Sequence, residues 1–143
     1  MTKRDRVIDL IQNLVHQRLR FRFYGRSPDY GMDCIGLVIW IGQQIGSIAH
    51  DAEFPCYSFP PTTENFNHLD EYLDRTDDIL PGSILVFTTG NQIPGHVAIA
   101  TYQQDKIWMM FGSIPGGFEF GYFPLIPTIS ENVWKIFDYK NVA

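Results

Sequence analysis

One cysteine and one histidine in this chain are placed where they could support nucleophilic catalysis. Cys34 follows the loop sequence Gly31-Met32-Asp33 and opens a mostly apolar run that predicts a buried helix. A thiol at a helix N-terminus has its thiolate stabilised by the helix dipole and by unpaired backbone N–H groups, which is typical of a nucleophile. His96 begins a predicted strand, where its imidazole could accept the thiol proton.

Both residues also have an ordinary structural interpretation. A cysteine on an apolar helix is more often inert packing, and a histidine at a strand start is more often a surface or hydrogen-bonded residue. The second cysteine, Cys56, lies in a segment with no helix start, so we interpret it as a bystander thiol. Two cysteines with no nearby cysteine or histidine pair form neither a disulfide framework nor a zinc pattern. We therefore predict free thiols, no metal and no cofactor.

The N-terminal part of the chain is predicted to be helical. Apolar residues recur at helical spacing, which predicts one amphipathic helix within residues 1–20, capped by Thr2. Residues 21–33 mix aromatic residues with glycine and proline and are typical of an ordered loop. The apolar helix from Cys34 to about Gly46 follows, so residues 21–46 form the predicted nucleophile loop and helix.

The C-terminal part is predicted to be a small antiparallel sheet, the β-sheet half at residues 80–139. After a long connection with a short helix at 64–73, a turn at Pro81-Gly82 leads into strands at 84–87, 96–102 and 107–111. Further strands are predicted at 118–123 and 134–139. Helices followed by antiparallel strands indicate an α+β fold, with the N-terminal helices packed on the sheet.

Length and composition indicate one domain, residues 1–143. The chain has 45% hydrophobic and 19% charged residues, a composition that excludes disorder for most of it. Its net charge is −5. Seven basic residues lie in the first 26 positions, but the rest of the chain is acidic, so a nucleic-acid partner is not expected. We expect no signal peptide and no membrane span, since the apolar runs are too short for either.

Two sequence blocks resemble the NlpC-like cell-wall peptidases, a papain-like superfamily. Gly31-Met-Asp-Cys-Ile-Gly-Leu-Val38 is similar to the family's Gly-Phe-Asp-Cys-Ser-Gly-Leu-Val block. Ile79-Leu-Pro-Gly-Ser-Ile-Leu-Val-Phe87 followed by Gly95-His-Val-Ala-Ile-Ala100 resembles its second block. Tyr24-Gly-Arg-Ser-Pro28 and Val133-Trp-Lys-Ile-Phe-Asp-Tyr139 are similar to short versions from phage tails and gene-transfer agents.

The resemblance implies hydrolysis of amide bonds in peptidoglycan stem peptides. Cys34 would be the nucleophile, His96 the general base, and the backbone N–H of Cys34 part of an oxyanion hole. Asp33 resembles the family's aspartate before the nucleophile, for which a supporting role in the loop is favoured. Tyr24, Arg26 and Tyr30 are candidate substrate contacts, and the arginines of this loop could also lower the pKa of Cys34.

The chain departs from the family pattern at three positions. Ile35 replaces the usual serine, and Phe21 stands where related chains often place a tyrosine. The family also expects a third polar residue, usually histidine, on the strand after the base. Here that strand reads Ile107-Trp-Met-Met-Phe111, so no orienting side chain is found. Losing such a group lowers the rate without necessarily abolishing catalysis.

Three functions follow from these observations. The favoured one is a cysteine peptidase or amidase acting on peptidoglycan, made in the cytoplasm and incorporated into a phage-like tail particle with tail proteins as partners. The second is a structural or adaptor protein of a tail tip that keeps the fold and has lost turnover. The third is an intracellular acyltransferase or deamidase using the same thiol chemistry, because the fold does not fix the acceptor.

Overall fold

The computed structural model describes residues 1–55, 57, 62–88, 94–113 and 119–142. Its helices are α1 (Lys3–His16), α2 (Cys34–Gln44), α3 (Thr63–Asn67), continued by a 3₁₀ turn (His68–Glu71), and α4 (Pro127–Ser130). Its strands are β1 (Arg26–Ser27), β2 (Gly31–Met32), β3 (Leu73–Arg75), β4 (Ile84–Thr88), β5 (Pro94–Gln104), β6 (Ile107–Ser113), β7 (Phe120–Pro124) and β8 (Val133–Tyr139).

Six of these strands form one antiparallel sheet in the order β3-β8-β4-β5-β6-β7. The central strands β4 and β5 pair Ile84 with Ile99 and Phe87 with His96. The register of β4 and β5 shifts beyond Phe87, so the start of β5 is irregular beside His96. The two remaining strands, β1 and β2, form a short hairpin that leads directly into α2.

The sheet separates two apolar clusters. The larger one packs α1 and α2 against one face of the sheet, and it includes Cys34, Val97 and Phe111. The smaller cluster includes Phe87 and Phe123. Its side chains alternate along the strands with those of the larger cluster and therefore point to the other face of the sheet. Every residue of α2 from Cys34 to Ile39 is buried, which explains why its sequence is apolar almost all round.

Helix α1 is held by its N-terminal cap, a buried apolar stripe and an ion pair. Thr2 caps it, because its hydroxyl accepts from the backbone N–H of Asp5 while the Asp5 carboxylate accepts from that of Thr2. The apolar stripe is buried at three positions, Val7, Ile11 and Leu14. The first turn is tied to the sheet by Arg4, whose guanidinium binds Asp138 of β8 at 2.9 Å.

The α+β prediction is confirmed, with helices packed on an antiparallel sheet. The predicted cap, the two long helices and the strands at 84–87, 96–102, 107–111 and 134–139 all correspond to observed elements. The predicted short helix at 64–73 is instead an α-helical turn, a 3₁₀ turn and the start of β3.

Other predicted boundaries differ from the structure. The sheet begins before residue 80, because β3 pairs with β8. The β1–β2 hairpin and α4 are additional elements, since two-residue strands and a four-residue helix leave no periodicity in the sequence. Strand β7 covers Phe120–Pro124, and residue 118 of the predicted strand lies outside the described residues. In the described part of the chain, no helix is long and apolar enough to cross a membrane.

Candidate active site

Cys34 is the first residue of α2, as the sequence predicts. Asp33 is the N-cap, and its carboxylate accepts a hydrogen bond from the backbone N–H of Gly36 at 2.7 Å. Gly36 is required because a Cβ atom there would lie 2.1 Å from the carbonyl oxygen of Gly25. The close approach of these two backbones holds the loop before Cys34 against the first turn of α2.

The Asp33 carboxylate is the centre of a partly buried polar cluster formed by Tyr24, Arg26, Asp33 and Tyr57. It accepts hydrogen bonds from the backbone N–H of Tyr24 at 2.8 Å and from the hydroxyl of Tyr57. The Arg26 guanidinium donates to Asp33 at 3.3 Å and to the Tyr57 oxygen at 3.0 Å. It also lies 4.6 Å from the centre of the Tyr24 ring. Asp33 therefore joins the loop, the helix and the segment containing Tyr57.

The surroundings of Cys34 favour the thiol over the thiolate. Burial, with a smaller contribution from the negative charge of Asp33, raises the pKa of Cys34 to about 12. Backbone N–H groups of Val97, Ile35 and Cys34 itself act in the opposite direction, but less strongly. The expectation of a stabilised thiolate is therefore wrong for this structure. The thiolate is not stabilised because the Cys34 side chain is only 8% exposed and because Arg26 is paired with Asp33 and not with the sulfur.

His96 lies near the start of β5 among aromatic side chains. The centre of its ring lies 5.9 Å from that of Phe87 and 6.0 Å from that of Phe123. Burial lowers the pKa of His96 to about 4, so the imidazole is neutral at physiological pH. Its Nε2 atom is buried and has no hydrogen-bond partner in the described part of the chain.

The structure brings the thiol to the strand that carries His96 without joining the two groups. The backbone N–H of Val97, the residue directly after His96, lies near Cys34 Sγ and acts to lower the pKa of the thiol. Among the residues that the structure describes, however, the polar contact of the imidazole is with Ser113 and not with the thiol. At rest the site therefore holds a neutral thiol beside the backbone of Val97 and a neutral imidazole packed on Phe87 and Phe123, and the two groups form no ion pair.

Ser113 is a polar group of the site that the sequence pattern does not reveal. Its hydroxyl oxygen lies 3.5 Å from Nδ1 of His96, at the long limit of a hydrogen bond. The prediction that no orienting side chain follows the base is corrected here, because β6 runs on to Ser113 instead of ending at Phe111. Its signal in the sequence is weak: a polar residue two positions beyond the end of the predicted strand.

The three candidate substrate contacts have different surroundings. Tyr24 and Arg26 belong to the Asp33 cluster, where their observed contacts are within the protein. Tyr30 is 74% exposed at the tip of the β1–β2 hairpin, so its ring is accessible to a ligand. Cys56, the expected bystander, lies outside the described residues. No group of residues able to hold a metal ion occurs within the described ranges.

The comparisons with known proteins bear on the fold. No protein-family model and no curated protein matches this sequence. Solved structures do: NlpC1 of Trichomonas vaginalis has a TM-score of 0.66 and 20% identity over 97% of this chain, which is 45% of its own. NlpC2 of the same organism has a TM-score of 0.65 and 19% identity, over 97% of this chain and 48% of its own. This chain thus spans about half the length of these two structures.

A third similar structure is of comparable size. The NlpC/p60 domain of the peptidoglycan hydrolase SagA has a TM-score of 0.52 and 13% identity, and the match covers 90% of this chain and 94% of that domain. At these identities the comparisons show a shared architecture. The chain has an NlpC/P60-like, papain-like fold.

Proposed function

We propose that this protein is a cysteine peptidase or amidase that hydrolyses amide bonds in the stem peptides of peptidoglycan. The observation that carries the proposal is the position of Cys34, at the first residue of α2 with its sulfur against Val97, the neighbour of His96. A cell-wall substrate is supported by the NlpC/P60-like fold, which this chain has in common with the peptidoglycan hydrolase SagA.

The proposed reaction begins with neutral groups. Sγ attacks the carbonyl carbon of the scissile amide while the thiol proton moves to His96, whose unpartnered Nε2 is free to accept it. The backbone N–H of Cys34, in the first turn of α2, stabilises the negative oxygen of the tetrahedral intermediate. The imidazolium then protonates the leaving amine, and water hydrolyses the thioester to release the acid and the free thiol.

Substrate binding has a specific task in this scheme. Since no hydrogen bond joins Sγ and the imidazole at rest, the ring has to turn toward the sulfur as the substrate enters. Ser113 limits this movement by its contact with Nδ1, and we assign it the role of positioning residue. Transfer of the proton during attack avoids forming a buried ion pair before the substrate is present.

The second candidate function is a structural or adaptor protein that keeps the fold without turnover. It is favoured by the raised pKa of Cys34, the lowered pKa of His96 and the missing hydrogen bond between them. Under both functions we propose incorporation into a phage-like tail particle after synthesis in the cytoplasm, with tail proteins as partners. That proposal is supported by the resemblance of residues 24–28 and 133–139 to short tail-associated sequences.

Digestion of purified peptidoglycan distinguishes the two functions. We expect the wild-type protein to release stem-peptide fragments that mass spectrometry identifies by the amide bond cleaved. Cys34→Ala abolishes the release, whereas the matched control Cys56→Ala retains it. A wild-type protein that releases no fragments, like Cys34→Ala, would favour the structural role.

A further inference from the structure

A surface cavity of about 500 Å³ lies beside the candidate site and has no part in the proposed reaction. One wall is the chain that leaves α1, including Arg18, Arg20 and Phe21, and the opposite wall is formed by β6 and β7, including Phe111 and Phe120. The two walls are joined where Arg20 pairs with Glu119 as an isolated antiparallel bridge.

The walls of this cavity, which we call the arginine cavity, combine aromatic rings with positive charge. Phe111 stacks on Phe120 with ring centres 5.8 Å apart, and the Phe21 ring lies 6.2 Å from Phe120. Arg18 and Arg20 are exposed, and neither forms an ion pair with any residue in the described ranges. Glu119 is the acidic residue among the described residues of the lining, so these residues together carry one net positive charge.

The arginine cavity is connected to the candidate site through two short links. Met32 donates its backbone N–H to the carbonyl of Arg20 at 3.0 Å, and Cys34 lies two residues after Met32 in the chain. On the other wall, Phe120 pairs with Ser113, the residue in contact with His96. A peptide whose scissile bond lies at Cys34 could therefore place a neighbouring residue in this cavity.

We propose that the arginine cavity is a subsite for a carboxylate group of the peptide substrate, bound by Arg18 and Arg20 while the aromatic wall packs against the peptide's aliphatic part. Guanidinium groups bind carboxylates by charge-assisted hydrogen bonds, and no other described residue of the lining offers that chemistry. This inference rests on the proposed function, since it takes the same stem peptide as ligand.

The subsite is tested by equilibrium binding to the Cys34→Ala protein, which holds substrate without turnover. The probe is a soluble stem tetrapeptide with free carboxylates, compared with the same peptide in which those carboxylates are amidated. Arg18→Gln with Arg20→Gln is expected to raise the Kd of the free peptide about five- to tenfold. The double variant should have little effect on the amidated peptide. Arg6→Gln, an exposed arginine on α1 outside the cavity, is the control.

The outcomes separate this inference from the proposed function. If the free peptide binds equally well with and without the Arg18→Gln and Arg20→Gln substitutions, the proposed subsite is wrong. Cleavage of peptidoglycan by the wild-type protein then still decides the function. If neither stem peptide binds and wild type cleaves nothing, the proposed function fails with it. Arginine-dependent binding of an all-L glutamate-containing peptide without binding of the stem peptide would assign the cavity to an acidic protein segment, which overturns the inference.

Discussion

Two opposing effects act on the Cys34 thiol. The N-terminus of α2 and the backbone N–H groups near the sulfur favour the thiolate, and this effect can be read from the sequence because a helix start is visible there. Burial and the Asp33 carboxylate favour the thiol, and together they outweigh the effect of the helix terminus and the backbone N–H groups. Burial of the sulfur depends on how α2 docks onto β5, which a linear sequence does not display.

Alkylation of Cys34 should therefore depend steeply on pH. With a pKa of about 12, the thiolate fraction rises about tenfold per pH unit from pH 7 upward, so the rate with iodoacetamide should rise likewise over pH 7–10. Mass spectrometry of the Cys34 peptide gives the rate, and Cys34→Ala shows what Cys56 contributes. A rate that levels off near pH 7 would show a stabilised thiolate and contradict the buried thiol.

His96 should make the stability of the fold sensitive to acid. Its pKa is about 4 in the folded protein and about 6.5 in an unfolded chain, so the unfolded state binds more protons between these values. The contribution of neutral His96 is present above pH 6.5 and is lost as pH falls toward 4, by up to about 3 kcal/mol.

The His96→Gln variant isolates this contribution. Urea unfolding at pH 7 and at pH 4.5 should show a smaller loss of free energy of unfolding for the variant than for wild type. The carboxylates titrate in both proteins, so their contribution cancels in the comparison. Equal losses in the two proteins would mean that the imidazole is solvated.

At the scale of elements, the N-terminus of α2 depends on Asp33. Replacing Asp33 by Ala removes the cap and leaves the donors of Gly36, Tyr24 and Tyr57 without their acceptor. We expect the free energy of unfolding to fall by about 2–4 kcal/mol, more than a helix cap alone contributes. Asp33→Asn keeps an acceptor oxygen and should cost less.

Asp5 provides the comparison for this prediction. It belongs to the exposed cap of α1, where its carboxylate accepts from the backbone N–H of Thr2. Asp5→Ala should lower the free energy of unfolding clearly less than Asp33→Ala does in the same urea titration. A similar loss for Asp5→Ala and Asp33→Ala would show that the polar cluster adds nothing to the cap.

The elements differ in how far the sequence predicts them. Helices α1 and α2 are visible because one has an apolar stripe and the other is apolar throughout, and β4 and β5 follow a clear turn. The role of Tyr57 is not visible, because it lies far along the chain from Asp33 and meets it only in the folded structure. Ser113 is hidden for a different reason, since it follows Gly112, and a glycine in the sequence favours the end of a strand there.

At the scale of the whole molecule, Arg4 joins the N-terminal helix to the far end of the chain. Its guanidinium makes two hydrogen bonds to Asp138, at 2.9 and 3.2 Å, and a third to the carbonyl of Pro81. We expect Arg4→Ala to lower the free energy of unfolding by about 1–2 kcal/mol, because the pair is partly buried and bidentate. Arg6→Ala, at an exposed position of the same helix, should change it by less than about 0.5 kcal/mol in the same thermal or urea unfolding experiment. Equal losses for Arg4→Ala and Arg6→Ala would show that the contact between Arg4 and Asp138 does not stabilise the fold.

The most direct test of the proposed function is the rate at which new amino groups appear in purified peptidoglycan. Wild-type protein should release them steadily and Cys56→Ala at a similar rate. Cys34→Ala should fall by about 10³-fold or more, because removal of a nucleophile leaves only binding and electrostatic effects. Release by Cys34→Ala at the wild-type rate, or none by the wild-type protein, would contradict hydrolysis through Cys34.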